Sequence, residues 1–168
     1  LDKMLASQGY EQRILIQDPR EVLRHYQEAR PDLILLDINM PHLDGYQVME
    51  QLKALNDPLP APIVILTAQH GRDYLLKALA AGARIVNDVS ALRYDDRAME
   101  VVLAAGCPVV LMHAPSAKSD PHEGGGYADV LFDVYDMLAE RVAACVAAGI
   151  DPAKIIVDPG LGFGKGVA

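Results

Sequence analysis

Six short apolar runs recur along the chain: Arg13-Ile14-Leu15-Ile16, Leu33-Ile34-Leu35-Leu36-Asp37, Ile63-Val64-Ile65-Leu66-Thr67, Ile85-Val86-Asn87-Asp88-Val89, Val109-Val110-Leu111-Met112 and Ile155-Ile156-Val157-Asp158. Most are continuously apolar rather than alternating, the pattern of parallel strands covered on both faces. Between them apolar residues return at helical spacing. Tyr46, Met49, Leu52 and Leu55 form one stripe; Leu131, Val134, Leu138, Val142 and Cys145 form another in the longest predicted helix. Gly82, Gly106 and Gly149 each close a helical stretch just ahead of a strand, where a residue able to take φ > 0 is favoured. The pattern predicts an α/β fold: a parallel sheet of about six βα units with helices on both sides and no domain linker. The segment from Ala114 to Gly126 is long and rich in Pro, Ser and Gly, and is predicted to be the most mobile loop.

The bulk numbers narrow the function classes. A chain of 168 residues, 51% of them hydrophobic, forms a sizeable core without staples. A formal net charge of −8 disfavours a nucleic-acid surface, which needs a basic face. Cys107 and Cys145 sit inside apolar runs and read as buried free thiols of a reducing cytosol rather than a disulfide. No signal peptide and no run long enough to span a bilayer is visible, so a cytoplasmic location is expected. The chain opens at Leu1 rather than Met, already in a helical pattern, and reads as an excerpt.

Ligands of parallel sheets and barrels bind beyond the carboxyl ends of the strands. That rule selects Asp37, Thr67, Asn87-Asp88, Met112-His113 and Asp158. Asp37 is followed by Met40-Pro41 and by Asp44-Gly45, which opens a helix. A strand-end aspartate is either a nucleophile towards phosphorus or the cap of a turn. Thr67 either bonds a phosphoryl oxygen or is merely β-favouring. The stretch Pro31-Asp32-Leu33-Ile34-Leu35-Leu36-Asp37-Ile38-Asn39-Met40-Pro41-His42-Leu43-Asp44-Gly45, followed by Pro62-Ile63-Val64-Ile65-Leu66-Thr67-Ala68, resembles the response-regulator receiver family. The resemblance runs over about residues 1–84 and implies a flavodoxin-like half in a two-component signalling module. It makes Asp37 the phospho-acceptor, served by a small phosphodonor, and Thr67 the switch hydroxyl. It also implies a partial Mg²⁺ site at Asp37, without the acidic pair of the receiver's first strand and without the Lys after its fifth. Phosphoryl transfer depends on such charge neutralisation.

Asp158-Pro159-Gly160-Leu161-Gly162-Phe163-Gly164-Lys165 is a glycine-rich loop after a strand. Its glycines permit close backbone approach to a ligand, and Asp158 offers acceptors to a guanidine-like ring edge; a generic glycine turn fits equally. The spacing is not that of a phosphate-cradling P-loop. Gly82-Ala83-Arg84-Ile85-Val86-Asn87-Asp88-Val89, Pro108-Val109-Val110-Leu111-Met112-His113 and the Asp158–Lys165 stretch resemble successive strand ends of dihydropteroate synthase, a TIM-barrel enzyme of folate biosynthesis. That resemblance covers about residues 78–168. It implies that Asn87 and Asp158 hydrogen-bond a pterin ring and that Met112 and Phe163 line its pocket. The groups that would stabilise the leaving pyrophosphate are not matched, so synthase turnover is not expected.

The two resemblances meet at Leu79-Ala80-Ala81-Gly82-Ala83-Arg84, a helix-Gly-strand unit that suits both. The expected organisation is therefore a flavodoxin-like, receiver-like segment, 1–84, continuing into a pterin-binding, partial TIM-barrel segment, 85–168, the two sharing one core. An inert scaffold or weak pterin binder ranks above either full activity. Exposed sheet edges are expected to favour self-association. Of the remaining polar residues, Asp95-Asp96 is read as a helix cap and His113 as an orienting residue. His25, His42 and His70 are read as surface residues, and His122 with Glu123 is not a metal site.

Overall fold

The computed structural model describes residues 2–66, 71–115, 127–161 and 165. A short α1 (Asp2–Ser7) precedes α2 (Val22–Ala29), β1 (Ile34–Asp37), α3 (Gly45–Ala54), β2 (Ile63–Leu66) and α4 (Arg72–Ala81). There follow β3 (Val86–Asp88), α5 (Ala98–Ala105), β4 (Val109–Met112), α6 (Val130–Ala147) and β5 (Ile155–Asp158).

Local chemistry accounts for most of these boundaries. Asp44 accepts the Gln47 N–H while the Gln47 side chain returns to the Asp44 N–H, a capping box that starts α3. The predicted stripe then faces the core: Tyr46, Met49 and Leu52 are buried. Asp129 caps α6, and Val134, Leu138 and Cys145 form its buried stripe, whereas Leu131 on the first turn is exposed. Helices α4 and α5 end at Gly82 and Gly106 in left-handed conformation, as the sequence predicted.

All paired strands are parallel and lie in chain order. β1 pairs with β2, Asp37 opposite Leu66, while β3, β4 and β5 pair in turn, Asn87 opposite Val110 and Met112 opposite Asp158. The two groups join at a single parallel bridge, Val64 to Ile85, reinforced by Arg84 N–H donating to the Ile63 carbonyl. One buried cluster holds Leu36, Ile63 and Ile65 with Tyr26, Met49, Ala78 and Ala81; a second holds Val86, Val109 and Leu111 with Val102 and Cys145. α4 contributes to both, because Leu75 and Leu79 pack on the second cluster. The clustered strand residues are register partners or two apart, so they share one face of the sheet. The helices that build the clusters therefore cover one face.

Three expectations change. Arg13–Ile16 forms no strand, and Ile14 and Leu15 are 55% and 69% exposed. An apolar run becomes a strand only where a neighbour takes its backbone N–H and C=O groups, and β2 is the one partner found for β1 among the described residues. Five strands are described rather than six. Helices on both sides, as a flavodoxin-like half requires, are replaced by a one-sided helical layer over strands in chain order. That is the arrangement of an opened barrel, expected for residues 85–168 and found in β1 and β2 as well.

Candidate functional site

The face opposite the helices carries the functional groups. In β3, Val86 faces the helical cluster and Asp88 is turned the same way, so Asn87 points to the open face. Alternation in β4 and β5 places Val110, Met112, Ile156 and Asp158 on that same face, Met112 and Asp158 directly opposite each other. Asn87 lies level with Val110 and Ile156, two residues below the Met112–Asp158 pair. Strand spacing and rise put Asn87 and Asp158 about 12 Å apart between Cα atoms, a span that two converging side chains close upon a flat ring.

The rim above this pair is tightly built. His113 N–H donates to the Asp158 carbonyl at 2.8 Å, extending the β4–β5 ladder past the last strand residue. The Asp158 carboxylate accepts the Gly160 N–H at 2.7 Å, turning the chain back over β4. Gly160 has φ +64, and a Cβ there would lie 2.5 Å from the His113 carbonyl and 3.2 Å from Met112 Cγ. The first glycine of the loop is thus required by close approach, not only by flexibility. Met112 is 2% exposed beneath this turn. Lys165 donates to the carbonyls of His113 (3.1 Å) and Gly160 (2.8 Å), closing the turn from above.

His113 itself is 4% exposed and stacks obliquely on Tyr127, ring centroids 5.8 Å apart. His113 Nδ1 and the Tyr127 hydroxyl are both buried without a hydrogen-bond partner among the described residues. Burial, then the Lys165 charge, pushes the imidazole below its ordinary range, so it stays neutral. The bond from His113 to β5 is made by its main chain. Asp88 is buried and accepts the Ser90 N–H (2.7 Å) and hydroxyl (2.6 Å), which makes it a structural neighbour of Asn87.

Asp37 stands exposed at the end of β1 on the same open face, its Oδ1 accepting the Asn39 N–H at 3.0 Å. Its register partner is Leu66. Thr67 and Phe163 lie outside the described residues, as do His70, His122 and Glu123. No group of three or more His, Cys, Asp or Glu residues is placed to hold a metal ion among the described residues. Asp44, further along the motif, is committed to its helix cap. The residues described around Asp37 therefore do not fit a Mg²⁺ site.

Asp95 does not cap the following helix: it accepts the Arg97 N–H in a turn ahead of α5, which starts without a side-chain cap, and it accepts the Arg72 N–H at the start of α4. His42 is exposed, while His25 is half-buried. Cys145 is buried and Cys107 half-buried, both free; burial raises both thiols. Lys165, Tyr127, Arg93 and Arg141 join the site only through the fold. For Lys165 a signal existed, since it closes the glycine-rich run. The arginines are visible only through contacts distant in sequence.

Comparison with known proteins places these features. A family model described as "Pterin binding enzyme" matches residues 27–168. The dihydropteroate synthase of Mycobacterium leprae is 45% identical over 94 residues, 55% of this chain and 33% of that protein. The Escherichia coli K12 enzyme is 34% identical over 96 residues, 57% of this chain and 34% of that protein. Among solved structures, Xanthomonas albilineans dihydropteroate synthase with 4-aminobenzoic acid superposes with TM-score 0.66 at 33% identity, over 88% of this chain and 53% of that one. The same enzyme in complex with 7,8-dihydropteroate gives 0.64 at 35% identity, again over 88% and 53%. The chain thus spans about a third of these two curated relatives and about half of these solved chains. The family match runs through Asp37 and β2, inside the stretch that resembles a receiver, and no finding supports a receiver domain or a chimera. The chain belongs to the pterin-binding enzyme family.

Proposed function

We propose that this chain binds a pterin weakly on the open face of β3, β4 and β5 and does not turn it over. One observation carries the reading: Asn87, Met112 and Asp158 share one face of three adjacent parallel strands in register. The Asp158 carboxylate accepts two N–H groups from a guanidine-like ring edge, and the Asn87 amide supplies both a donor and an acceptor. Met112 lies under the turn as an apolar floor. The solved complex with 7,8-dihydropteroate supports the ligand class. Turnover would require groups that hold the departing pyrophosphate, and none of the residues assigned here supplies them. Calorimetric titration with a pterin tests the reading. Heat of binding at micromolar to millimolar ligand is expected, weakened about tenfold or more in Asn87→Ala and in Asp158→Ala. No heat at millimolar ligand ends it.

A second reading has Asp37 accept a phosphoryl group from a small donor such as acetyl phosphate. It is favoured by the exposure of Asp37 at a strand's carboxyl end with one oxygen oriented by Asn39 N–H. An Asp37-dependent phosphoryl adduct in intact-mass spectra supports it; its absence in wild type disposes of it.

A further inference from the structure

The loop leaving β3 holds a conformation that its own residues disfavour. Ala91 and Leu92 are consecutive, left-handed at φ 53 and φ 59, and neither is glycine. They are 0% and 4% exposed, so no solvent contact compensates the crowding of Cβ against the backbone. Strain of this kind persists only where the surroundings over-determine it.

Here the surroundings are two arginines. Arg93 Nε donates to the Ser90 carbonyl at 3.0 Å, and its Nη2 donates to the Ala114 carbonyl at 2.8 Å. Arg141, on α6, donates from Nε to the Ala91 carbonyl at 3.0 Å. From beneath, the Ser90 hydroxyl is held by Asp88 and accepts the N–H groups of Arg93 and Tyr94. The loop after β3, the loop after β4 and helix α6 are thereby tied together at the turn that follows Asn87-Asp88 in the chain. The tie has a cost, because the two guanidinium groups repel each other. Burial first and the Arg141 charge second lower the Arg93 pKa from its ordinary value.

We infer that Arg93 and Arg141 are positioning residues: they clamp the strained Ser90–Leu92 turn so that the Asn87 amide is fixed on the open face before ligand arrives. The inference rests on the pterin reading for its purpose, and on ligand-free geometry for its existence. Pre-organising a polar group in this way reduces the ordering that binding must otherwise impose.

The two clamps differ chemically. Arg141 makes one bond, which the ammonium of Lys reproduces; Arg93 makes two with a planar fork, which Lys does not. The test uses the full chain with Arg141→Ala, Arg141→Lys and Arg93→Lys, the last two keeping the charge should the neutral variant fold poorly. Amide hydrogen exchange without ligand is expected to quicken at least tenfold at residues 90–94 in Arg141→Ala and Arg93→Lys. It is expected to return close to wild type in Arg141→Lys, with α3 unchanged throughout. The Asn87 side-chain amide resonance should shift in the two defective variants, and pterin affinity should fall about tenfold. A purely stabilising role predicts instead that α3 and the loop quicken together while the Asn87 resonance stays in place, and that result overturns the inference. Unchanged exchange at 90–94 in Arg141→Ala overturns it as well. Failure of wild type to bind pterin sinks the proposed function and leaves the clamp to be judged on exchange and the Asn87 resonance.

Discussion

Single residues set the site through the backbone as much as through side chains. Gly160 is the clearest case: a methyl group there meets the His113 carbonyl at 2.5 Å while φ stays at +64. Gly160→Ala is therefore expected to cost at least ~1–2 kcal/mol from the left-handed conformation alone, with further loss from displacing β4 against β5. Thermal unfolding of the variant measures it. His113 supplies a pH dependence whose sign follows from burial. Its imidazole titrates below 6.5 in the folded chain, so the unfolded chain takes the proton first as pH falls. Its contribution is complete above pH 6.5 and is lost as pH drops through the lower folded value. Wild type should lose unfolding temperature below pH 6.5 more steeply than His113→Phe, which keeps a ring against Tyr127 and removes the unpartnered Nδ1. Much of this scale was readable beforehand: Asn87, Met112 and Asp158 were selected by the strand-end rule. The burial of Met112 under Gly160 was not, because it depends on the loop folding back over its own sheet.

At the scale of elements, the sequence was most informative where the determinants are local. Asp44, Gln47 and the Tyr46–Met49–Leu52 stripe lie within a few residues of one another, and α3 forms as they dictate. Arg13–Ile16 misled because an apolar β-rich run states a strand's readiness to pair without stating whether a partner lies beside it. Asp95 shows the opposite limit. A cap on α5 was expected and a turn ahead of it is found, while the bond to the Arg72 N–H at the start of α4 spans 23 residues and required the fold. Asp44→Ala should lower stability by about 1 kcal/mol, or about 3 °C in unfolding temperature for a chain of this size. Asp95→Ala should lower it further, since the start of α4 and the turn ahead of α5 both lose an acceptor. Equal shifts for the two variants would show that the Arg72 bond contributes little.

For the whole molecule, an open barrel leaves two unpaired edges among the described residues, β1 and β5. Leu35 and Ile156 on the open face are 36% and 49% exposed, the condition under which sheets recruit further strands. We expect concentration-dependent association of the 168-residue chain in light scattering, relieved by Leu35→Lys with Ile156→Lys; a wild-type monomer at all concentrations would contradict this. No helix is long and apolar enough to cross a membrane among the described residues. The one-sided helical layer and the chain-order strands, which decide between an opened barrel and a doubly wound sheet, depend on which face each helix covers. Apolar periodicity alone does not specify that.

The account depends on pterin contact at the open face of β3, β4 and β5, and Met112 reports on that face. The chain has six methionines, so methyl-labelled methionine gives a simple spectrum during titration with a pterin. The account predicts that the Met112 methyl signal, identified by its loss in Met112→Leu, moves saturably while that of Met49, buried on the helical side, stays in place. A Met112 signal that does not move at millimolar pterin, or a shift confined to other methionines, would contradict it.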